Sequence, residues 1–105
     1  MNRNKNRGTA FETAVVKYLQ QWWPLAERRA LAGGNDRGDI AGLGCVIECK
    51  DAQRFELAAW CDEAEKERQN DRAELGILVI KRRRKSVDQS YCVVQIGRAS
   101  CRERV

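Results

Sequence analysis

Asp39, Glu48 and Lys50 have the residue types and spacing to hydrolyse a phosphate ester. Cys45-Val46-Ile47-Glu48-Cys49-Lys50 reads as a strand, and its period of two sets Val46, Glu48 and Lys50 on one face. Cys45, Ile47 and Cys49 fall on the other. Asp39 opens a short strand, Asp39-Ile40-Ala41, which Gly42-Leu43-Gly44 turns into the next. If the two strands pair as a meander, the three polar groups meet at one end of a sheet. The sequence contains no histidine, which removes Ser-His-Asp and Cys-His catalysis and any histidine base. Hydrolysis would then need a metal to polarise the phosphate and acidify the attacking water. Mg²⁺ takes oxygen ligands, with one or two carboxylates among them. A neighbouring lysine can orient the water or offset charge developing on the phosphate.

Each group also has a structural reading. Gly38-Asp39 is equally a turn with an Asx-type hydrogen bond. Glu48 and Lys50 could be solvated residues on an edge strand, although Val46 shares their face. Thr9-Ala10-Phe11-Glu12 is a capping box, in which Glu12 would answer the Thr9 backbone N–H.

The elements that must position these residues are legible as periodicities. Phe11, Ala14, Val15, Tyr18, Leu19 and Trp22 define an amphipathic helix, with Thr9 as N-cap and Pro24 closing it after Trp23. Residues 25–31 read as a weak strand, and 32–38 as a turn rich in residues tolerant of positive φ. A second helix carries Leu57, Trp60, Cys61 and Ala64 on its apolar stripe. Asp62, Glu63, Glu65, Lys66, Glu67 and Arg68 are assigned to its outer face, pointing away from an anionic partner. Leu75–Ile80 is continuously apolar, as expected of a central strand buried on both faces. Lys81-Arg82-Arg83-Arg84-Lys85 is a basic loop, and Tyr91–Val94 a final strand. The order α-β-β-β-α-β-β predicts an α/β fold of α+β character, a mixed sheet flanked by helices, with one crossover helix between the third and fourth strands.

With these elements in order, the chain resembles the PD-(D/E)XK nuclease superfamily. Gly38-Asp39, followed nine residues later by Glu48-Cys49-Lys50, fits the superfamily's core motif, with Cys49 as the variable middle residue. Arg7-Gly8-Thr9-Ala10-Phe11-Glu12 is similar to the start of archaeal-type Holliday junction resolvases and their actinobacterial and phage relatives. Ala30–Gly33, Asp36–Ile40 and Leu57–Trp60 look like the same group. The resemblance covers roughly residues 7–94. It implies a restriction-endonuclease-like αβββαβ core and a homodimer that cuts four-way DNA junctions with Mg²⁺ or Mn²⁺ during recombination and repair. It also implies that Glu12, Asp39 and Glu48 help to bind metal while Lys50 positions water. Other expectations stay open: a restriction-like or repair nuclease of the superfamily, or a non-catalytic DNA-binding module of the same fold.

Charge agrees with an anionic partner. The 105 residues carry 20 basic and 15 acidic side chains, a net +5. Lys81, Arg82, Arg83, Arg84 and Lys85 read as a backbone-binding patch, or else as a solvated loop. Residues 1–8 read as a flexible arm whose Arg3, Lys5 and Arg7 could clamp phosphates, and Arg37 is a further candidate DNA contact. Trp22, Trp23 and Trp60 are assigned to core or dimer contacts. No apolar run is long enough to span a membrane and no secretory signal follows Met1, so a cytosolic protein is expected. The five cysteines lack C-x-x-C pairs. Cys45 and Cys49, ~13 Å apart along one strand, can neither bridge nor share a metal, and buried free thiols are expected.

Residues 95–105 break the pattern. From Ile96 the sequence resembles one reading frame of a common sequencing adapter, so this tail is expected to be an assembly artefact replacing the true end of a single domain, residues 9–94. Three arginines and one glutamate lie in it, and without them the net charge is +3.

Overall fold

A computed structural model describes the backbone of residues 3–29 and 38–101 and the side chains of 7–29 and 38–98. A mixed five-stranded sheet, in the order β1-β2-β3-β4-β5, lies between two helices. Its strands are β1 (Glu27–Arg28), β2 (Ile40–Ala41), β3 (Val46–Lys50), β4 (Gly76–Ile80) and β5 (Tyr91–Val93). The helices are α1 (Arg3–Leu19), α2 (Leu57–Asp71) and the short α3 (Ile96–Cys101). Strands β1, β2 and β3 form an antiparallel meander. Strand β4 returns parallel to β3 through α2, and β5 adds antiparallel at the far edge.

The alternation read from β3 is realised. Ile47 and Cys49 pack with Phe11, Val15, Val16, Ile40 and Val79, which places α1 over one face. On the other, α2 brings Trp60 against Leu78 and Ile80. Both faces of β4 are therefore covered, and Leu78 and Ile80 are each 1% exposed. Burying one such side chain contributes about 1.5–3 kcal/mol, so this sandwich is the main source of stability.

Several expected boundaries move. The helix α1 begins at Arg3, so the basic segment expected to be a flexible arm is its first turns, and Thr9 lies inside the helix instead of capping it. Arg3, Lys5 and Arg7 favour helix without forming an apolar stripe, which periodicity does not register. The same helix ends at Leu19, four residues before the expected end. Its last bonds tighten, with the Trp22 amide donating to the Leu19 carbonyl at 3.0 Å, before Pro24 ends any continuation. Strand β1 is only Glu27–Arg28. The turn through residues 30–37, with Arg37, lies outside the described residues. In the tail, where no element was expected, Ile96–Cys101 is helical, and Arg98 pairs with Glu65 at 3.0 Å.

Gly42 sets the path of the meander. Its φ of +91° is a region glycine enters freely, and a Cβ there would overlap the Leu25 carbonyl oxygen. The backbone of Leu25 and buried Ala26 fills the space a side chain would need. Gly42→Ala is expected to destabilise the fold by about 2 kcal/mol or more, read as a lower urea midpoint with an unchanged slope.

Candidate functional site

The site forms where β3 faces α2. Glu48 is 4% exposed. Its Oε2 lies 3.1 Å from Lys50 Nζ, while Oε1 is buried without a hydrogen-bond partner. Cys49 alone separates Glu48 from Lys50 on a pleated strand, so both side chains leave the same face and the pair needs no loop to hold it. Lys50 Nζ also meets Glu63 Oε1 at 2.9 Å and sits 5.9 Å from the centre of the Trp60 ring.

Helix α2 supplies two carboxylates that the sequence reading had turned outward. Glu67 is 1% exposed and Glu63 is half-buried over Lys50. Oxygens of Glu48, Glu63 and Glu67 all lie within 4.8 Å of one another, and among the described residues these are the three that could jointly hold a metal ion. The signal for Glu67 was present in the sequence. It follows Trp60 by seven residues and Ala64 by three, which continues the apolar stripe, whereas its charge alone suggested the solvent face.

Asp39 approaches β3 from β2. Its Oδ2 accepts a hydrogen bond from the Cys49 amide at 2.7 Å, and its own amide donates to the Ile47 carbonyl at 2.8 Å. The aspartate thus fixes the strand pairing as well as bringing charge beside Glu48. Glu12 lies on α1 and pairs with Arg28 at 3.1 Å. With Thr9 inside the helix, the capping reading of Glu12 does not hold. Its carboxylate does contribute to raising the Cys49 thiol, after burial and Asp39.

Electrostatics follow from three carboxyls acting on buried Glu48, with one ammonium beside it. Burial, then Asp39, then the neighbouring Glu67 and Glu63 push the Glu48 carboxyl up to about 11. Burial works against the charged form of Lys50, but the ion pairs with Glu63 and Glu48 prevail and hold its pKa above the ordinary lysine value. Glu48 therefore keeps a proton at neutral pH unless more positive charge arrives.

Basic residues flank the C-terminal ends of β3 and β4. Asp51, directly after Lys50, holds Lys81 Nζ at 3.8 Å and Arg7 Nε at 3.9 Å. Arg82 lies 5.0 Å above the Tyr91 ring, and Arg83, Arg84 and Lys85 are exposed. The backbones of Arg3 and Lys5 lie in α1, and their side chains are outside the described residues.

The tryptophans and cysteines divide. Trp60 is core, whereas Trp22 and Trp23, 56% and 46% exposed, are not, which leaves them the other expected role of dimer contact. Of the four described free cysteines only Cys49 is buried, and Cys92 is exposed. Among the described residues no helix is long and apolar enough to cross a membrane. Comparisons with protein-family models, curated proteins and solved structures found no match.

Proposed function

We propose that this chain is a metal-dependent endodeoxyribonuclease of the PD-(D/E)XK type, cutting branched DNA in the manner of a Holliday junction resolvase. The observation that carries the reading is the Glu48 carboxyl, buried with one oxygen unpartnered, beside Lys50 and three further acids. Such crowding is costly for a structural core and is relieved by a divalent cation. The donors are hard oxygens, which fit Mg²⁺ or Mn²⁺.

Glu48, Glu63 and Glu67, whose oxygens lie within 4.8 Å of one another, would hold the ion. Asp39 and Glu12 are added to that set by the resemblance. When bound, the ion supplies Lewis-acid polarisation of the phosphate and lowers the pKa of an attacking water. Lys50 reaches the rim of the cluster, where its ammonium can orient that water and offset charge on the phosphate. The cations of residues 81–85 extend from the same strand ends and would track the DNA backbone. The resemblance adds a homodimer and a four-way junction as substrate.

Gel assays with Mg²⁺ or Mn²⁺ test the substrate directly. A four-way junction is expected to be cut in preference to a linear duplex of the same sequence. Equal cutting of both would remove the resolvase assignment and leave a general nuclease.

A further inference from the structure

The exposed aromatic pair beside the basic loop is used neither by the core nor by the hydrolytic chemistry. Phe55 and Tyr91 are 47% and 46% exposed, and their rings meet edge to face, 6.3 Å apart at 81°. They line a groove of about 240 Å³ together with Lys81, Arg82, Arg83 and Lys85. Arg82 lies over the Tyr91 ring at 5.0 Å, so a planar cation and two aromatic rings border one concavity. The groove opens beside the candidate site, because Phe55 also touches Trp60, 5.8 Å away, and Trp60 lies under Lys50.

We infer that this groove binds an unpaired DNA segment of a few nucleotides, with a base stacked on Phe55 or Tyr91 and its phosphates met by Lys81, Arg82, Arg83 and Lys85. Aromatic faces with interleaved cations are the general solution for single strands, since every base has a π-face and every linkage a charge. A duplex hides its base faces and would gain only the charge contacts. The inference rests on the nuclease reading for its choice of DNA. It assigns to that site a preference for strands that unpair near the cut, as at a branch point.

Fluorescence anisotropy at low salt, with EDTA present, separates the two ideas because no cleavage is needed. The probes are a labelled oligothymidylate of twelve nucleotides, an abasic strand of equal length and charge, and a blunt duplex. The wild-type chain is expected to bind the oligothymidylate about tenfold more tightly than the abasic strand, the scale of one stacked base. Phe55→Leu and Tyr91→Leu should each lower the ratio of oligothymidylate to abasic affinity towards one. Leucine retains bulk against Trp60, and a melting curve confirms that each variant is folded. Equal affinity for base-bearing and abasic strands would overturn the inference. So would duplex binding as tight as oligothymidylate binding, or a folded double variant that keeps the preference. If base-dependent binding fails while metal-dependent cutting persists, the groove assignment falls and the nuclease reading stands.

Discussion

Glu48→Gln is expected to abolish metal-dependent cleavage and, at pH 8 without metal, to make the protein more stable. The first effect follows from removing the carboxylate at the centre of the acidic cluster. A loss of about a thousandfold or more corresponds to ~4 kcal/mol of transition-state stabilisation. The second follows from its pKa. Glu48 is raised from 4.5 to about 11 in the folded chain, first by burial and then by Asp39. An acid with a raised folded pKa contributes its stability below the unfolded value and loses it as pH rises towards the folded one. The unfolded chain ionises Glu48 above about pH 4.5 while the folded chain does not, so metal-free stability falls between pH 5 and pH 8. Glutamine has the same shape and no proton to lose, and Lys50 retains Glu63 at 2.9 Å. A rise in Tm of about 5 °C at pH 8, shrinking towards pH 5, is expected for the variant. Mn²⁺ should raise the Tm of the wild-type chain at pH 8 and leave the variant unchanged. A variant less stable than wild type at pH 8 would mean that Glu48 is an ordinary ion-pair partner of Lys50.

Asp39→Asn separates chemistry from binding. The Asp39 carboxylate accepts the Cys49 amide at 2.7 Å, and the carbonyl oxygen of asparagine can do the same, so the β2–β3 pairing survives. What disappears is one negative charge beside Glu48. Cleavage is expected to fall by about a thousandfold. Binding to a four-way junction in EDTA should stay level or tighten, because a carboxylate close to phosphate repels it when no cation intervenes. Asp39→Ala makes a useful contrast. It leaves the Cys49 amide without its acceptor and should cost about 1–3 kcal/mol of stability that the asparagine variant does not lose.

The strand carrying Glu48 and Lys50 was legible because period two sorts side chains with no knowledge of neighbours. That Ile47 and Cys49 share one face and Val46 and Glu48 the other follows from that sorting alone, whereas which helix covers each face does not. Helix α2 was legible as an element but not in its orientation. Residues seven apart lie within about 20° of each other around a helix, so Glu67 shares the stripe of Trp60 whatever its charge. Assigning Glu63 and Glu67 by residue type hid two of the three carboxylates of the acidic cluster. The Glu12–Arg28 pair, sixteen residues apart, depends on how β1 docks beside α1. The hydrogen bond from the Cys49 amide to Asp39 depends on how β2 is offset from β3, and no pattern in either segment encodes that offset. Nor did the polar turns of α1 from Arg3 announce themselves, since a helix without an apolar stripe leaves no moment to detect.

The most direct test of the central claim is cleavage of an end-labelled four-way DNA junction by the purified chain at pH 8, with and without Mn²⁺, alongside Asp39→Asn. Cutting by the wild-type chain that requires Mn²⁺, with the variant bound to the junction but unable to cut it, is the predicted result. Cutting that proceeds equally in EDTA, or equally in the Asp39→Asn chain, would contradict the assignment of phosphodiester hydrolysis to the carboxylates and lysine around β3.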